Sequence, residues 1–147
     1  MDHKHSLSLK QPLNEPPADR QAIFMMLELA TVAIPVSRPA KEAAKWYRDK
    51  LGLEIGGEPE GHWVVVAPKG MTGAAKGPWH GIHLCEEDKP ETGNTGILFL
   101  TKDIEATCRE LKAKGVRFTH ELSKETWGTY AMFADPDGNE FWLMPSV

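Results

Sequence analysis

The chain has 147 residues, of which 41% are hydrophobic and 26% charged, and 17 basic against 21 acidic side chains give a formal net charge of −4. This length fits one domain, or two small halves that share one core, without the help of disulfides or a structural metal. A mildly acidic chain offers no basic face to a nucleic-acid backbone or an anionic membrane surface, so we expect neither partner.

The N-terminal segment, residues 1–22, is predicted to be a flexible arm, because it carries three prolines, charges of both signs and few large apolar side chains. The apolar run at residues 22–27 is too short to span a membrane. Cys85 and Cys108 form no CxxC pattern and are expected to be buried thiols in a reducing compartment, so we predict a cytoplasmic protein. Residues 23–147 are predicted to form the folded domain.

The first half of this domain begins with an alternating pattern. Val32, Ile34 and Val36 are expected to pack on a helix, while the residues between them face the other way. A helix is predicted over residues 40–50, with apolar side chains at helical spacing and Gly52 as its stop. Strands are predicted at 62–67 and 81–85, with a glycine-rich loop at 69–78, and a weaker strand near 54–58.

The second half repeats this order. Its strands are predicted at residues 97–101, 129–134 and 140–144, with a weaker one at 118–122 and a helix at 104–114. Asp103 is the expected N-cap of that helix, Gly115 its stop, and residues 135–138 a turn. A strand–helix–strand–strand–strand unit that occurs twice predicts a pseudo-symmetric domain, with one module at about 29–87 and the other at about 95–145.

Three short motifs, in this order, resemble those of a known family. Residues 43–53 read AAKWYRDKLGL, Trp127 precedes Gly128, and residues 135–139 read DPDGN before the last strand. These motifs are similar to those of the vicinal oxygen chelate superfamily, which includes glyoxalase I, bleomycin-resistance proteins and extradiol dioxygenases. The resemblance covers about residues 29–145. It implies an α+β fold in which two paired βαβββ modules form a cup-shaped, half-open mixed sheet around a small-molecule site.

The resemblance also implies a divalent metal at the floor of the cup, held by one residue from the first and last strands of each module. These four positions fall on Thr31, His83, Gly96 and Trp142. Only His83 is a competent ligand, and one imidazole does not hold a divalent ion in competition with water. We therefore expect the usual metal site to be absent. A relocated divalent site that uses His83 and Glu140 is the weaker alternative.

The residues at the implied ligand positions favour an organic compound. Trp142 is large and flat, and it is expected to face the cup opposite three small substrate-binding residues, Thr31, Ala33 and Gly96. A flat indole opposite small side chains suits a planar ligand, since stacking on the indole stabilises the complex beyond the burial of apolar area. His83 is the candidate catalytic residue, because an imidazole acts as a general acid or base near neutral pH. Further substrate-binding candidates are Trp63 and Tyr130, which face either the cup or the helices, and Trp79 at the end of the glycine-rich loop.

The sequence leaves three functions open. The first is an enzyme of the glyoxalase or dioxygenase type, namely a lyase, isomerase or dioxygenase, with a relocated metal or with metal-free chemistry at His83. The second is a binding protein without turnover, like the bleomycin-resistance proteins, that sequesters a planar or aromatic compound. The third is a structural or regulatory domain that has lost its ligand. The resemblance implies a homodimer in which modules sometimes pair between chains.

Overall fold

The computed structural model describes residues 27, 29–58, 63–71 and 80–147, and the predicted arm at residues 1–22 lies outside them. Two modules of the same element order follow one another along the chain. The first consists of β1 (Thr31–Ser37), α1 (Ala40–Leu51), β2 (Glu54–Glu58), β3 (Trp63–Ala67) and β4 (Gly81–Glu87). The second consists of β5 (Asn94–Thr101), α2 (Ile104–Ala113), β6 (Arg117–Glu125), β7 (Gly128–Ala134) and β8 (Glu140–Pro145). The predicted α+β class and the duplicated βαβββ unit are therefore confirmed.

Each module folds into its own four-stranded mixed sheet. The strand orders are β1-β4-β3-β2 and β5-β8-β7-β6, so the two sheets have the same topology. In both, the first and last strands of the module run parallel, and the remaining pairs are antiparallel. Neither sheet closes into a barrel within the described part of the chain. The first and last strands, which the resemblance associates with the site, therefore lie side by side in each module.

The helices begin where the sequence predicts, and each ends within one residue of the predicted end. Gly52 terminates α1 in the left-handed conformation, at φ 69°, which a residue with a side chain adopts only with strain. The carboxylate of Asp103 accepts a hydrogen bond from the backbone N–H of Ala106 and caps α2. With 12 and 10 residues, neither helix is long enough to cross a membrane, and no other described helix is.

One apolar core joins the two modules. It contains Ala44 and Tyr47 of α1, Cys108 and Leu111 of α2, and the alternate residues of both sheets that face the helices. The ring of Tyr47 meets that of Phe141, on β8, edge to face at a centroid distance of 6.0 Å. Each sheet therefore has one face committed to this shared core, and the opposite face is left for other contacts.

The structure departs from the prediction at three strands. β5 begins at Asn94 and not at residue 97, because Gly96, at φ 71°, accommodates an irregular pairing with β8. β6 reaches from 117 to 125, because two register shifts interrupt the alternation that would reveal its length. The expectation that Val32 packs on a helix is wrong, because Val32 is 40% exposed and lines a cleft between the modules.

A buried polar cluster connects the DPDGN turn to the first module. The carboxylate of Asp135, 3% exposed, accepts hydrogen bonds from the Tyr47 hydroxyl at 2.5 Å and from the side-chain amide of Asn139 at 2.9 Å. The backbone N–H groups of Asp137 and Asn139 also donate to it. The same Asn139 amide donates to the carbonyl of Pro35, on β1. This cluster fixes the relative position of the two modules.

The Tyr47 hydroxyl makes the stability sensitive to alkaline pH. Burial, and then the charge of Asp135 and the hydrogen bond to it, raise the pKa of Tyr47 above its ordinary value of about 10. The unfolded chain therefore releases this proton above about pH 10 while the folded protein retains it. Between pH 9 and 11 the wild type should lose about 1.4 kcal/mol more unfolding free energy than Tyr47→Phe does. Urea unfolding at both pH values measures the difference, and equal losses in the two proteins would contradict this assignment.

Candidate functional site

The sheet faces opposite the shared core carry most of the predicted site residues. On β8, Phe141 and Leu143 belong to the core, so Glu140 and Trp142 project from the other face. On β3 and β4 the core residues alternate in the same way, which places Trp63 and His83 on the outer face of the first sheet. Of the two orientations that the sequence left open for Trp63, the structure therefore shows the one that faces away from the helices.

Three aromatic side chains form a contiguous surface on the second sheet, which we call the aromatic platform: Trp127, Tyr130 and Trp142. The Tyr130 ring lies between the two indoles, with centroid distances of 4.9 Å to Trp127 and 5.1 Å to Trp142. Trp127 is 58% exposed, which is unusual for so large an apolar side chain. Trp127 therefore presents aromatic surface to solvent, and the half-buried rings of Tyr130 and Trp142 adjoin it.

Hydrogen bonds hold the rings of the platform in place. The indole N–H of Trp142 donates to Oδ1 of Asn94 at 3.1 Å. The hydroxyl of Tyr130 lies 2.8 Å from Nε2 of His120, whose Nδ1 lies 2.8 Å from the carbonyl oxygen of Glu121. Because a carbonyl only accepts, the neutral imidazole carries its proton on Nδ1, and Nε2 accepts the proton of Tyr130. The Tyr130 hydroxyl and the Trp142 indole N–H are thus engaged at the edges of their rings, which orients these two rings.

A second aromatic pair lies on the first sheet. Trp63 and His83 stack with ring centroids 3.9 Å apart and an interplanar angle of 18°. Nε2 of His83 is buried, and no described residue hydrogen-bonds to it. The ring of His83 also lines a small cavity of about 230 Å³ with Arg38, Cys85 and Glu86. An imidazole nitrogen with a vacant hydrogen-bonding position is what a ligand-binding or acid–base role requires.

The predicted site residues therefore fall into two groups on different sheets. His83, Trp63 and Ala33 belong to the first sheet, where Ala33 is the register partner of His83 on β4. Trp142, Tyr130 and Gly96 belong to the second, so Gly96 lies in the sheet of Trp142 and not opposite it. Thr31 begins β1, paired with Gly81. Trp79 lies outside the described residues.

One cleft brings parts of both sheets together. It measures about 330 Å³ and lies between β1 and the start of β5, lined among others by Ala33, Asn94 and Gly96. Because Asn94 also holds the indole of Trp142, the cleft adjoins the platform. Two of the small residues predicted to bind substrate thus line a cleft beside Trp142.

The residues at the four implied metal positions do not suit a divalent ion. Thr31, Gly96 and Trp142 offer no imidazole or carboxylate, which leaves His83 alone. The alternative partner, Glu140, lies on the other sheet from His83. Within the described part of the chain, no three His, Cys, Asp or Glu side chains are grouped closely enough to hold a metal.

Comparison with known proteins agrees with the duplicated fold. The family model of the Glyoxalase/Bleomycin resistance protein/Dioxygenase superfamily matches residues 28–143. The chain belongs to this superfamily. A crystal structure of a superfamily member from Sphaerobacter thermophilus DSM 20745 matches with a TM-score of 0.67 and 30% identity, over 83% of this chain and 99% of that one.

Three further proteins are similar to this chain. TnmS3 from Streptomyces sp. CB03234, described as an antibiotic binding protein, is 30% identical with a TM-score of 0.64, over 84% of this chain and 99% of that one. Glyoxalase I of Saccharomyces cerevisiae is 31% identical over 99 residues, which are 65% of this chain and 29% of the yeast protein. An uncharacterized protein of Bacillus subtilis, YetH, is 34% identical over 81% of this chain and 98% of its own length.

Sequence reasoning did not identify several members of this site. Trp127 was noted only as part of a family motif, and His120 and Asn94 were not placed in the site. A signal for Trp127 does exist, since it precedes Gly128 and lies three residues before Tyr130 at the start of a strand. His120 carries no such signal, because the register shifts in β6 on either side of it obscure which face it occupies.

Proposed function

We propose that this protein binds a planar aromatic small molecule on the aromatic platform and releases it unchanged. The observation that carries the proposal is the aromatic platform, in which Trp127 is exposed and the half-buried rings of Tyr130 and Trp142 are held by hydrogen bonds. Stacking of a planar ligand on such a surface contributes about 0.5–1.5 kcal/mol beyond the burial of area. The similarity to an antibiotic binding protein supports a role in binding, and the unsuitable donors at the implied metal positions weigh against metal-dependent turnover.

The experiment is a calorimetric titration of the full chain with planar tricyclic aromatics and, as the matched control, non-planar cyclohexyl compounds of similar size. We expect saturable binding of the planar compounds at one per chain, and none of the control compounds at the same concentrations. The compound recovered from the complex should have an unchanged mass. Absence of saturable binding, or equal binding of planar and non-planar compounds, would overturn the proposal.

A catalytic function is the second candidate, and the His83 imidazole favours it. Its buried Nε2 has no hydrogen-bond partner among the described residues, so a substrate that reached it would meet a free acid–base group. This enzyme would be a metal-free lyase or isomerase. The catalytic function predicts that the wild type changes the mass or isomeric form of a bound compound. It also predicts that His83→Ala abolishes this change while binding persists. The binding function predicts no change with either protein.

We propose further that the protein is a homodimer. Leu98 and Leu100, on β5, are 46% and 61% exposed on the same face as the platform, and exposed leucines beside aromatic rings are typical of an interface. A second copy that covers these leucines would also shield one side of a bound ligand from water. Sedimentation equilibrium should give twice the chain mass of 16.4 kDa, and a mass of one chain at micromolar concentration would contradict the dimer.

A further inference from the structure

Glu140 is the acidic group nearest the aromatic platform along its strand. It lies on β8 two residues before Trp142 and on the same face, so the two side chains are neighbours along the strand. Its register partners are Asn94, which holds the indole of Trp142, and Ala134. Glu140 is half-buried and not fully solvated.

No basic group neutralises this carboxylate among the described residues. Oε2 of Glu140 accepts a hydrogen bond from the Thr119 hydroxyl at 3.0 Å, and no described Lys, Arg or His nitrogen lies within 4.0 Å. Arg117, on the outer strand β6, is the register partner of Ala134, and its side chain forms no ion pair with Glu140. Some acidic side chains elsewhere are paired, such as Glu86 with Arg38 and Glu121 with Lys112.

Apart from the indole N–H of Trp127, the remaining groups that face a ligand on the platform are also electron-rich. The faces of the two indoles and the phenol carry partial negative charge, which attracts cations. The proton of the Tyr130 hydroxyl is directed to His120, so the oxygen has lone pairs to offer. The indole N–H of Trp142 is directed to Asn94 and is not available as a donor. A ligand of matching chemistry therefore carries positive charge.

We propose that the ligand of the platform is a planar aromatic cation, whose rings stack on Trp142 and whose positive charge pairs with Glu140. This inference rests on the proposed binding function and specifies the class of compound that it serves. An anionic aromatic compound is disfavoured at the same site, because it would meet a carboxylate and aromatic faces without a compensating cation. The acidic net charge of the chain also attracts a cation at long range.

The experiment compares two tricyclic probes of similar size on the full chain: proflavine, a cation at neutral pH, and phenazine, which is neutral. The wild type should bind proflavine about tenfold or more tightly than phenazine, and the preference should shrink as salt is added. Glu140→Gln should weaken proflavine binding by about tenfold while phenazine binding changes by less than about twofold. Gln at this position still accepts the hydrogen bond of Thr119, so the fold should be retained.

Two control variants separate the local charge from other effects. Glu105→Gln, in the first turn of α2, makes the same change in net charge away from the platform and should leave both affinities within about twofold. Glu140→Asp keeps the charge and should retain a preference for proflavine. Equal affinities of the wild type for the two probes, or an equal loss of both in Glu140→Gln, would overturn the inference while the binding function stands. If neither probe binds, the proposed function itself fails, and this inference with it.

Discussion

Replacement of Trp142 by alanine should weaken the binding of a planar aromatic compound by about 1.5–3 kcal/mol, which is roughly 10- to 150-fold in Kd. The indole is half-buried, its N–H is fixed by Asn94, and its ring lies against Tyr130, so a ligand stacks on a surface that is already ordered. The variant removes this surface and leaves a gap beside Tyr130. Isothermal titration with the planar probes measures the loss.

Matched variants show whether the loss reflects stacking on the platform. Trp142→Phe retains a flat ring without the N–H and should lose less affinity than the alanine variant. Trp46→Phe changes a tryptophan on α1 that packs edge to face on Tyr47, away from the platform, and should leave the affinity unchanged. Circular dichroism establishes that each variant is folded. An affinity of Trp142→Ala equal to that of the wild type would mean that Trp142 packs the sheet and does not bind the ligand.

Replacement of Asp135 by alanine should lower the free energy of unfolding by about 3–5 kcal/mol. Its carboxylate accepts four hydrogen bonds, from the Tyr47 hydroxyl, the Asn139 side chain and two backbone N–H groups. The alanine variant removes the acceptor of all four bonds. The Asn139 amide keeps its bond to the carbonyl of Pro35, and each buried donor that is left unsatisfied costs about 1–3 kcal/mol. Because the cluster joins the DPDGN turn to α1 and β1, the loss should affect the packing of one module on the other. Chemical denaturation of the wild type and the variant measures the difference in the free energy of unfolding.

The control for this prediction is an aspartate of the surface. Asp49 pairs only with the neighbouring Arg48, and both side chains are more than half exposed. Asp49→Ala should therefore lower the free energy of unfolding far less than Asp135→Ala does, as is usual for an exposed ion pair. Asp135→Asn keeps the shape and part of the accepting capacity and should give an intermediate loss. If Asp135→Ala were no less stable than Asp49→Ala, the buried cluster would not be what holds the modules together.

The order of the elements was predictable because local patterns determine it. Each helix combines an apolar side with a glycine stop, as at Gly52, and the strands alternate or are rich in β-branched residues. The start of β5 was less predictable, since Gly96 ends a regular strand pattern although the strand continues through it as an irregularity. Such departures depend on the partner strand, which a single segment does not reveal.

The composition of the site was predictable only in part, for a geometric reason. Alternation along a strand tells which residues share a face, and this placed Trp142 and His83 on outer faces. It does not tell which sheet lies opposite which, and in the structure these two residues belong to different sheets. Contacts that run across a sheet, such as Tyr130 with His120, also depend on register and bulges that the sequence does not display.

The central claim is that ligands bind on the aromatic platform, and the indole N–H signals of the five tryptophans test it most directly. Nuclear magnetic resonance spectra of the ¹⁵N-labelled protein, assigned with single Trp→Phe variants, are recorded while proflavine is added to saturation. We expect the signals of Trp127 and Trp142 to shift in proportion to occupancy, and that of Trp46 to stay in place. Saturable binding that leaves the signals of Trp127 and Trp142 unmoved would contradict the claim and place the ligand elsewhere.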